Sequence, residues 1–208
     1  MIRVLIVDDH PVTSRGVAGA LVDAGGVEIV GVAETLAQAR ALIASLSPDV
    51  VLCDVQVGPE RSLGLPRELE EPAPAILYFT SYDYPSFVRT ALDGGAAGYM
   101  LKSAPIAEVV AAVRTVAAGG SMFAMRDLRN ARRAPRIPTD RELEVIRRVA
   151  LGQSNAEIGE ALEIAERTVE SHLRRLFARY DVDSRTELTL TSARMGWIDL
   201  RDLQLRDL

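Results

Sequence analysis

Five side chains suited to handling a phosphoryl group stand at the ends of four short apolar runs. Val4–Val7 ends on Asp8 and Asp9, Val50–Cys53 on Asp54, Ile76–Phe79 on Thr80, and Gly98–Leu101 on Lys102. Two adjacent carboxylates repel one another unless a cation lies between them, so Asp8 and Asp9 point to a divalent metal. Hard oxygen donors suit Mg²⁺, which keeps several waters and a phosphate oxygen in its shell. Asp54 is then the nucleophile, because a carboxylate can form an acyl phosphate. Lys102 and Thr80 supply a charged and a neutral donor to the other phosphate oxygens. Each residue alone has a plainer reading: a strand-end Asp caps the next helix, a Lys is solvated, a Thr begins a turn. Their joint placement favours the phosphoryl site.

The elements that must position them are written as alternation. Continuous β-branched and aliphatic runs without polar alternation read as parallel strands buried on both faces, near 2–7, 27–33, 49–53, 75–80 and 97–101. Helical spacing fills about 11–24, 35–46, 85–93 and 105–118, with Pro11 at a helix start. Residues 58–74 hold four prolines and two glycines, so any helix there is short. Strand–helix alternation predicts a doubly wound α/β fold with a five-stranded parallel sheet. Ligands of such sheets lie at the carboxyl ends of the strands.

At 208 residues, 48% hydrophobic and 25% charged, the chain reads as globular, with one ordinary domain and a smaller one. No apolar run approaches the roughly 20 residues that span a bilayer, and the N-terminus lacks the pattern of a secretory signal. One cysteine, Cys53, excludes an internal disulfide, which points to a cytoplasmic protein. His10 and His172 are too far apart in sequence to suggest zinc. Residues 1–120 carry 8 Lys+Arg against 14 Asp+Glu, whereas 121–137 carry 5 Arg against 1 Asp. That Arg-rich stretch, with its Asn and Pro, reads as a solvated linker.

Residues 1–120 resemble the receiver domain of response regulators: the Asp8-Asp9 pair, Asp54 about 45 residues on, Thr80-Ser81, then Tyr99-x-x-Lys102. The resemblance implies that Asp8 and Asp9 bind metal, Asp54 is the phosphoacceptor, and Gln56 offers a backbone carbonyl to Mg²⁺. It makes Thr80 the switch hydroxyl, Tyr99 an aromatic that moves inward with it, and Lys102 the phosphate contact. Two departures stand out. The family usually has Met-Pro three and four residues after the phosphoacceptor, where this chain has Val57-Gly58, and the segment that follows is proline-rich and short.

Beyond the linker the period is helical throughout. Thr139 with Glu142 has capping-box spacing, and Leu143, Val145, Ile146, Val149 and Ala150 line one face. Gly152 ends that helix. Ser154 caps a second with Ile158, Ala161 and Leu162 inward, and a third runs from about Ala165 to Tyr180 with Val169, Leu173, Leu176 and Phe177 on one face. A fourth starts after Ser184 and ends near Gly196-Trp197. Such helices form an ordinary bundle or a helix-turn-helix.

Residues 138–197 resemble the four-helix DNA-binding domain of the LuxR/NarL class, through Thr-Asp-Arg-Glu-Leu-Glu-Val-Ile, Gly-Gln-Ser-Asn-Ala-Glu-Ile and Glu-Arg-Thr-Val-Glu-Ser-His-Leu. The resemblance makes 165–180 a recognition helix, with Arg167, Thr168, Glu170, Ser171, Arg174, Arg175 and Arg179 toward double-stranded DNA. Most relatives carry lysine where this chain has Glu170. A glutamate there repels phosphates but can accept from cytosine N4 in the major groove; alternatively it forms an i,i+4 pair with Arg174. His172 reads as a packing residue. The tail 198–208 repeats Arg-Asp-Leu and suits a short amphipathic segment or a frayed end.

Together the chain resembles a NarL/FixJ-type two-component response regulator rather than an enzyme: receiver 1–120, linker 121–137, helix-turn-helix 138–197, tail 198–208. The resemblance implies a sensor histidine kinase as phosphodonor, and a homodimer on paired DNA half-sites once phosphorylated. Two rivals are an aspartate-nucleophile phosphatase, which wants Asp-x-Asp where this chain has Asp8-Asp9-His10, and a DNA-binding regulator whose receiver only dimerises.

Overall fold

The computed structural model describes residues 1–131 and 134–198, with backbone only for Arg126 and Asp127. The chain divides into two compact units, Met1–Ala134 and Pro135–Leu208. Apart from Ile198, the tail expected at 198–208 lies outside the described residues.

The first unit is built on five parallel strands, β1 (Ile2–Val7), β2 (Val27–Ala33), β3 (Val50–Cys53), β6 (Ala75–Thr80) and β7 (Gly98–Leu101), in the order β2-β1-β3-β6-β7. Each expected strand lies within a residue of these bounds. Successive residues of a strand face opposite sides, and Val4 to Val7 and Val50 to Cys53 are all buried, so both faces are covered. Helices α1 (Pro11–Asp23) and α5 (Ile106–Ala117) pack on one face through Val17, Leu21, Val109 and Val113. α2 (Leu36–Leu46) packs against β1 and β2, and α4 (Pro85–Asp93) against β7.

The short helix expected within 58–74 is found, behind a hairpin that the sequence did not foresee, and one expectation is corrected. The segment after β3 is a tight antiparallel hairpin, β4 (Gln56–Val57) with β5 (Glu60–Arg61), then a 3₁₀ turn, Ser62–Gly64, and a one-turn helix α3 (Leu65–Glu68). Gly58 and Pro59 supply the hairpin turn that a longer helix could not contain. Residues 121–134 belong to the first unit rather than to a free linker. Met122 bridges to Gly98 on the edge of β7, and a helix, α6 (Met125–Ala131), packs on α4 with Ala131 buried.

The second unit consists of α7 (Asp140–Ala150), α8 (Asn155–Ala161), α9 (Glu166–Tyr180) and α10 (Arg185–Arg194). Capping boxes form at Thr139–Glu142 and Ser154–Glu157, each satisfying two otherwise orphaned N–H groups. Leu143, Val145, Ile146, Val149, Ile158, Val169, Leu173 and Leu176 are buried, whereas Ala161, expected inward, is exposed. The turn between α8 and α9 closes tightly: a Cβ on Gly159 would stand 2.7 Å from the Ile164 carbonyl oxygen. Trp197, fully buried, packs on Tyr180 with ring centroids 4.4 Å apart.

Candidate phosphoacceptor site and DNA-facing helix

The sheet register brings the strand-end residues together. β1 and β3 pair Val7 with Cys53, so Asp8 and Asp54 occupy the next rungs. Asp8 N–H donates to Ala33 O at 3.0 Å and Asp54 N–H to Val7 O at 2.8 Å, fixing both backbones. On the other side Lys102 N–H donates to Thr80 O at 2.8 Å. Asp8, Asp54 and Thr80 are all buried, at 3%, 5% and 0% exposure.

Lys102 supplies the counter-charge. Its Nζ lies 2.7 Å from Asp8 Oδ2 and 2.5 Å from Asp54 Oδ2. Burial works against the ammonium, but the hydrogen bonds to Asp54 and Asp8 outweigh it and hold its pKa above the usual lysine value. Asp9 is held from the hairpin, where Gly58 N–H donates to its Oδ2 at 3.0 Å. A proline at this position has no N–H, so Val57-Gly58 adds a contact here. The other oxygen, Asp9 Oδ1, is buried and accepts no hydrogen bond. His10 Nδ1 lies 3.0 Å from it, within ion-pair range but without hydrogen-bond geometry. Asp8, Asp9 and His10 each offer a donor atom within 4.8 Å of the others. A buried, unsatisfied carboxylate oxygen beside a second carboxylate fits a hard divalent cation.

The residues around this centre stitch the loops to it. Ser62, missed by the sequence reasoning, donates from Oγ to the Asp54 carbonyl at 2.5 Å, and Tyr78 donates from its hydroxyl to Ser62 O at 2.8 Å. Nothing in its Pro-rich surroundings marked Ser62 as a site residue. Gln56 N–H lies 3.4 Å from Asp54 Oδ1, and its side chain donates to Gly58 O. Tyr99, expected to swing inward, is already buried at 6%, with its hydroxyl donating to Tyr82 O at 2.7 Å. Tyr82 N–H in turn lies 3.5 Å from Thr80 Oγ1, at the outer limit of a hydrogen bond. Burial pushes the Cys53 thiol up to about 12, so it stays protonated beside the site.

In the second unit, Arg167, Thr168, Glu170, Ser171, Arg174 and Arg175 are all exposed on α9, opposite the buried Val169, Leu173 and Leu176. The structure separates Arg179 from that set. Its Nη1 pairs with Glu142 Oε2 on α7 at 2.9 Å, and its guanidinium lies over the Tyr180 ring. Burial opposes the Glu142 charge, but bonds from Thr139 and Arg179 prevail and its pKa is lowered. Among the described residues Glu170 and Arg174 form no ion pair, so the helix-stabilising alternative for Glu170 is not realised. His172 is half-buried, in keeping with packing.

Residues 4–114 match the family described as response regulator receiver domain, and residues 138–192 match bacterial regulatory proteins, luxR family. The chain belongs to the response regulators with a LuxR-type DNA-binding domain. It is 35% identical to the probable transcriptional regulatory protein NarL of Mycobacterium tuberculosis, over 95% of this chain and 96% of that protein. It is 33% identical to the transcriptional regulatory protein LiaR of Bacillus subtilis, over 93% and 98%. Among solved structures, the response regulator ChrA of a heme-sensing two-component system shares 28% identity, with a TM-score of 0.54 and coverage of 95% and 98%. The response regulator is thus similar to transcriptional regulators over nearly its full length. No helix among its described residues is long and apolar enough to cross a membrane.

Proposed function

We propose that this response regulator is a cytoplasmic transcription regulator whose DNA binding is controlled by phosphorylation of Asp54. The observation that carries the reading is the buried Asp8–Lys102–Asp54 bridge, with Thr80 on the neighbouring strand end. The phosphodonor is a histidine of a sensor kinase. An Asp54 carboxylate oxygen attacks phosphorus, an O–P bond forms, the P–N bond breaks, and the histidine nitrogen leaves. Asp8, Asp9, Asp54 and the Gln56 carbonyl would hold Mg²⁺, which would supply positive charge to the transferring phosphoryl group. Lys102 shifts from bridging two carboxylates to holding a phosphate oxygen, and Thr80 Oγ1 donates to another. The phosphoryl group adds about −1.5 to −2 charge, and the modified protein acts as a homodimer on paired half-sites.

The DNA contacts come from the exposed face of α9: Arg167, Arg174 and Arg175 toward phosphates, and Thr168, Glu170 and Ser171 toward bases. Arg179, paired with Glu142, braces α9 against α7 instead. The phosphatase alternative gains nothing from Asp9, whose Oδ2 is tied to the Gly58 amide. Incubation of the full chain with acetyl phosphate and Mg²⁺, read by intact mass, tests the chemistry. One phosphoryl group is expected on the wild type and none on Asp54→Asn; equal labelling of both contradicts the assignment.

A further inference from the structure

His10 stands at the N-cap of α1, a position that favours Ser, Thr, Asp or Asn because their side chains accept from the free N–H groups of the first turn. Its imidazole makes no capping bond, so the helix start does not account for the residue. Its backbone is nevertheless fixed on both sides. His10 N–H donates to Asp8 Oδ1 at 2.9 Å, and His10 O accepts from the Ser14 amide at 3.1 Å and from Ser14 Oγ at 3.0 Å. The ring lies against the carboxylates, with Nδ1 3.2 Å from Asp8 Oδ1 and 3.0 Å from Asp9 Oδ1. The side chain is 68% exposed, so an ion from solvent can reach it.

Asp9 completes the set. The Gly58 amide ties down Oδ2 and leaves the buried Oδ1 without a hydrogen bond, next to His10 Nδ1. Two ligands at right angles, each about 2.1 Å from one ion, stand about 3.0 Å apart. The spacings from Nδ1 to the two carboxylate oxygens match that value, as one face of a coordination shell requires. We propose that His10 Nδ1 joins Asp8 and Asp9 as a nitrogen ligand, so that the site takes late first-row divalent metals, Ni²⁺ among them, in preference to Mg²⁺. The inference rests on the reading of Asp8 and Asp9 as metal ligands. Imidazole nitrogen suits such metals, whereas Mg²⁺ takes oxygen donors. A neutral imidazole adds a donor without adding charge, so the two carboxylates still balance the divalent ion. Asp8 Oδ2 stays with Lys102, so ligation through Oδ1 leaves the bridge to Asp54 in place.

Isothermal titration of the metal-stripped full chain with Ni²⁺ and with Mg²⁺ tests this. Wild type should bind Ni²⁺ more tightly than Mg²⁺. His10→Gln should lower the ratio of Ni²⁺ to Mg²⁺ affinity about 10- to 100-fold, the loss that removing even an outer-shell partner of a metal produces. The second histidine, His172 on α9, provides the control, and His172→Gln should keep the wild-type ratio. An unchanged ratio in His10→Gln overturns the ligation and leaves the imidazole as a hydrogen-bond partner of Asp8, with the carboxylate reading intact. The same fall in His172→Gln, or a wild type that binds Ni²⁺ no more tightly than Mg²⁺, also overturns it. Mg²⁺ binding to Asp9→Asn as tightly as to wild type overturns the carboxylate site and this inference with it.

Discussion

Replacing Lys102 by methionine removes the one cation bridging two buried carboxylates. The side chain is 14% exposed and its partners 5% and 6%, so solvent screens the contacts only weakly. At 2.7 Å and an effective dielectric of about 20, each ion pair is worth about 6 kcal/mol before desolvation. Desolvation of three charges offsets most of that, and removing one partner of a buried pair typically costs about 3–5 kcal/mol. Methionine keeps the volume of the stem, so the cost is electrostatic. Urea unfolding in EDTA should therefore show the first unit destabilised by about 3–5 kcal/mol, read by far-UV circular dichroism. Trp197, the only tryptophan, lies in the second unit, so its fluorescence reports on that unit and not on the first. Added Mg²⁺ should stabilise the variant more than the wild type, because a metal bound to Asp8 and Asp9 restores the missing positive charge. Since the wild-type Lys102 pKa is raised, its stabilisation is full below the ordinary lysine value and is lost as pH rises through the higher folded one. A variant as stable as the wild type in EDTA at neutral pH refutes the bridge as a stabilising element.

Glu142→Ala should lower the stability of the second unit by about 1–2 kcal/mol, through the lost capping box and Arg179 pair, as read by Trp197 fluorescence. Because the Glu142 pKa is lowered, that gap should be full above the ordinary carboxylate value and close as pH falls through the folded one. Gly159→Ala should cost about 1–3 kcal/mol by forcing the α8–α9 turn open, with a reduced thermal midpoint of the same fluorescence signal. Glu170→Ala should cost at most about 1 kcal/mol of discrimination at one cytosine-containing position in selected-site sequencing. Glu170→Lys should strengthen binding to every duplex and steepen the salt slope by about one, while Arg174→Ala flattens it.

The parallel strands were legible because burial on both faces writes them as unbroken apolar runs, and a residue one step past each run must reach the carboxyl edge. That logic located Asp8, Asp54, Thr80 and Lys102. It could not foresee β4 and β5, since two-residue strands carry no period and Gly58-Pro59 reads as a break. It also passed over the docking of residues 122–131 on the first unit. The five arginines dominate the composition, whereas docking of this segment depends on main-chain bonds from Met122 and the small side chain of Ala131, which charge counting ignores. Arg179 was assigned to DNA because helical spacing places it near Arg175, but its partner Glu142 is 37 residues away in sequence. Ser62 is similarly silent, as its role is a hydroxyl bond to a backbone carbonyl made by the fold.

A phosphoryl group on Asp54 should change how the second unit meets DNA. The most direct test is the affinity of the full chain for a duplex selected from random sequence, measured at one salt concentration with and without acetyl phosphate and Mg²⁺. Phosphorylated wild type should bind more tightly than the unmodified protein, and Asp54→Asn should show no difference. Equal affinity of phosphorylated and unmodified wild type, with the modification verified by mass, contradicts the account and leaves a regulator whose first unit only dimerises.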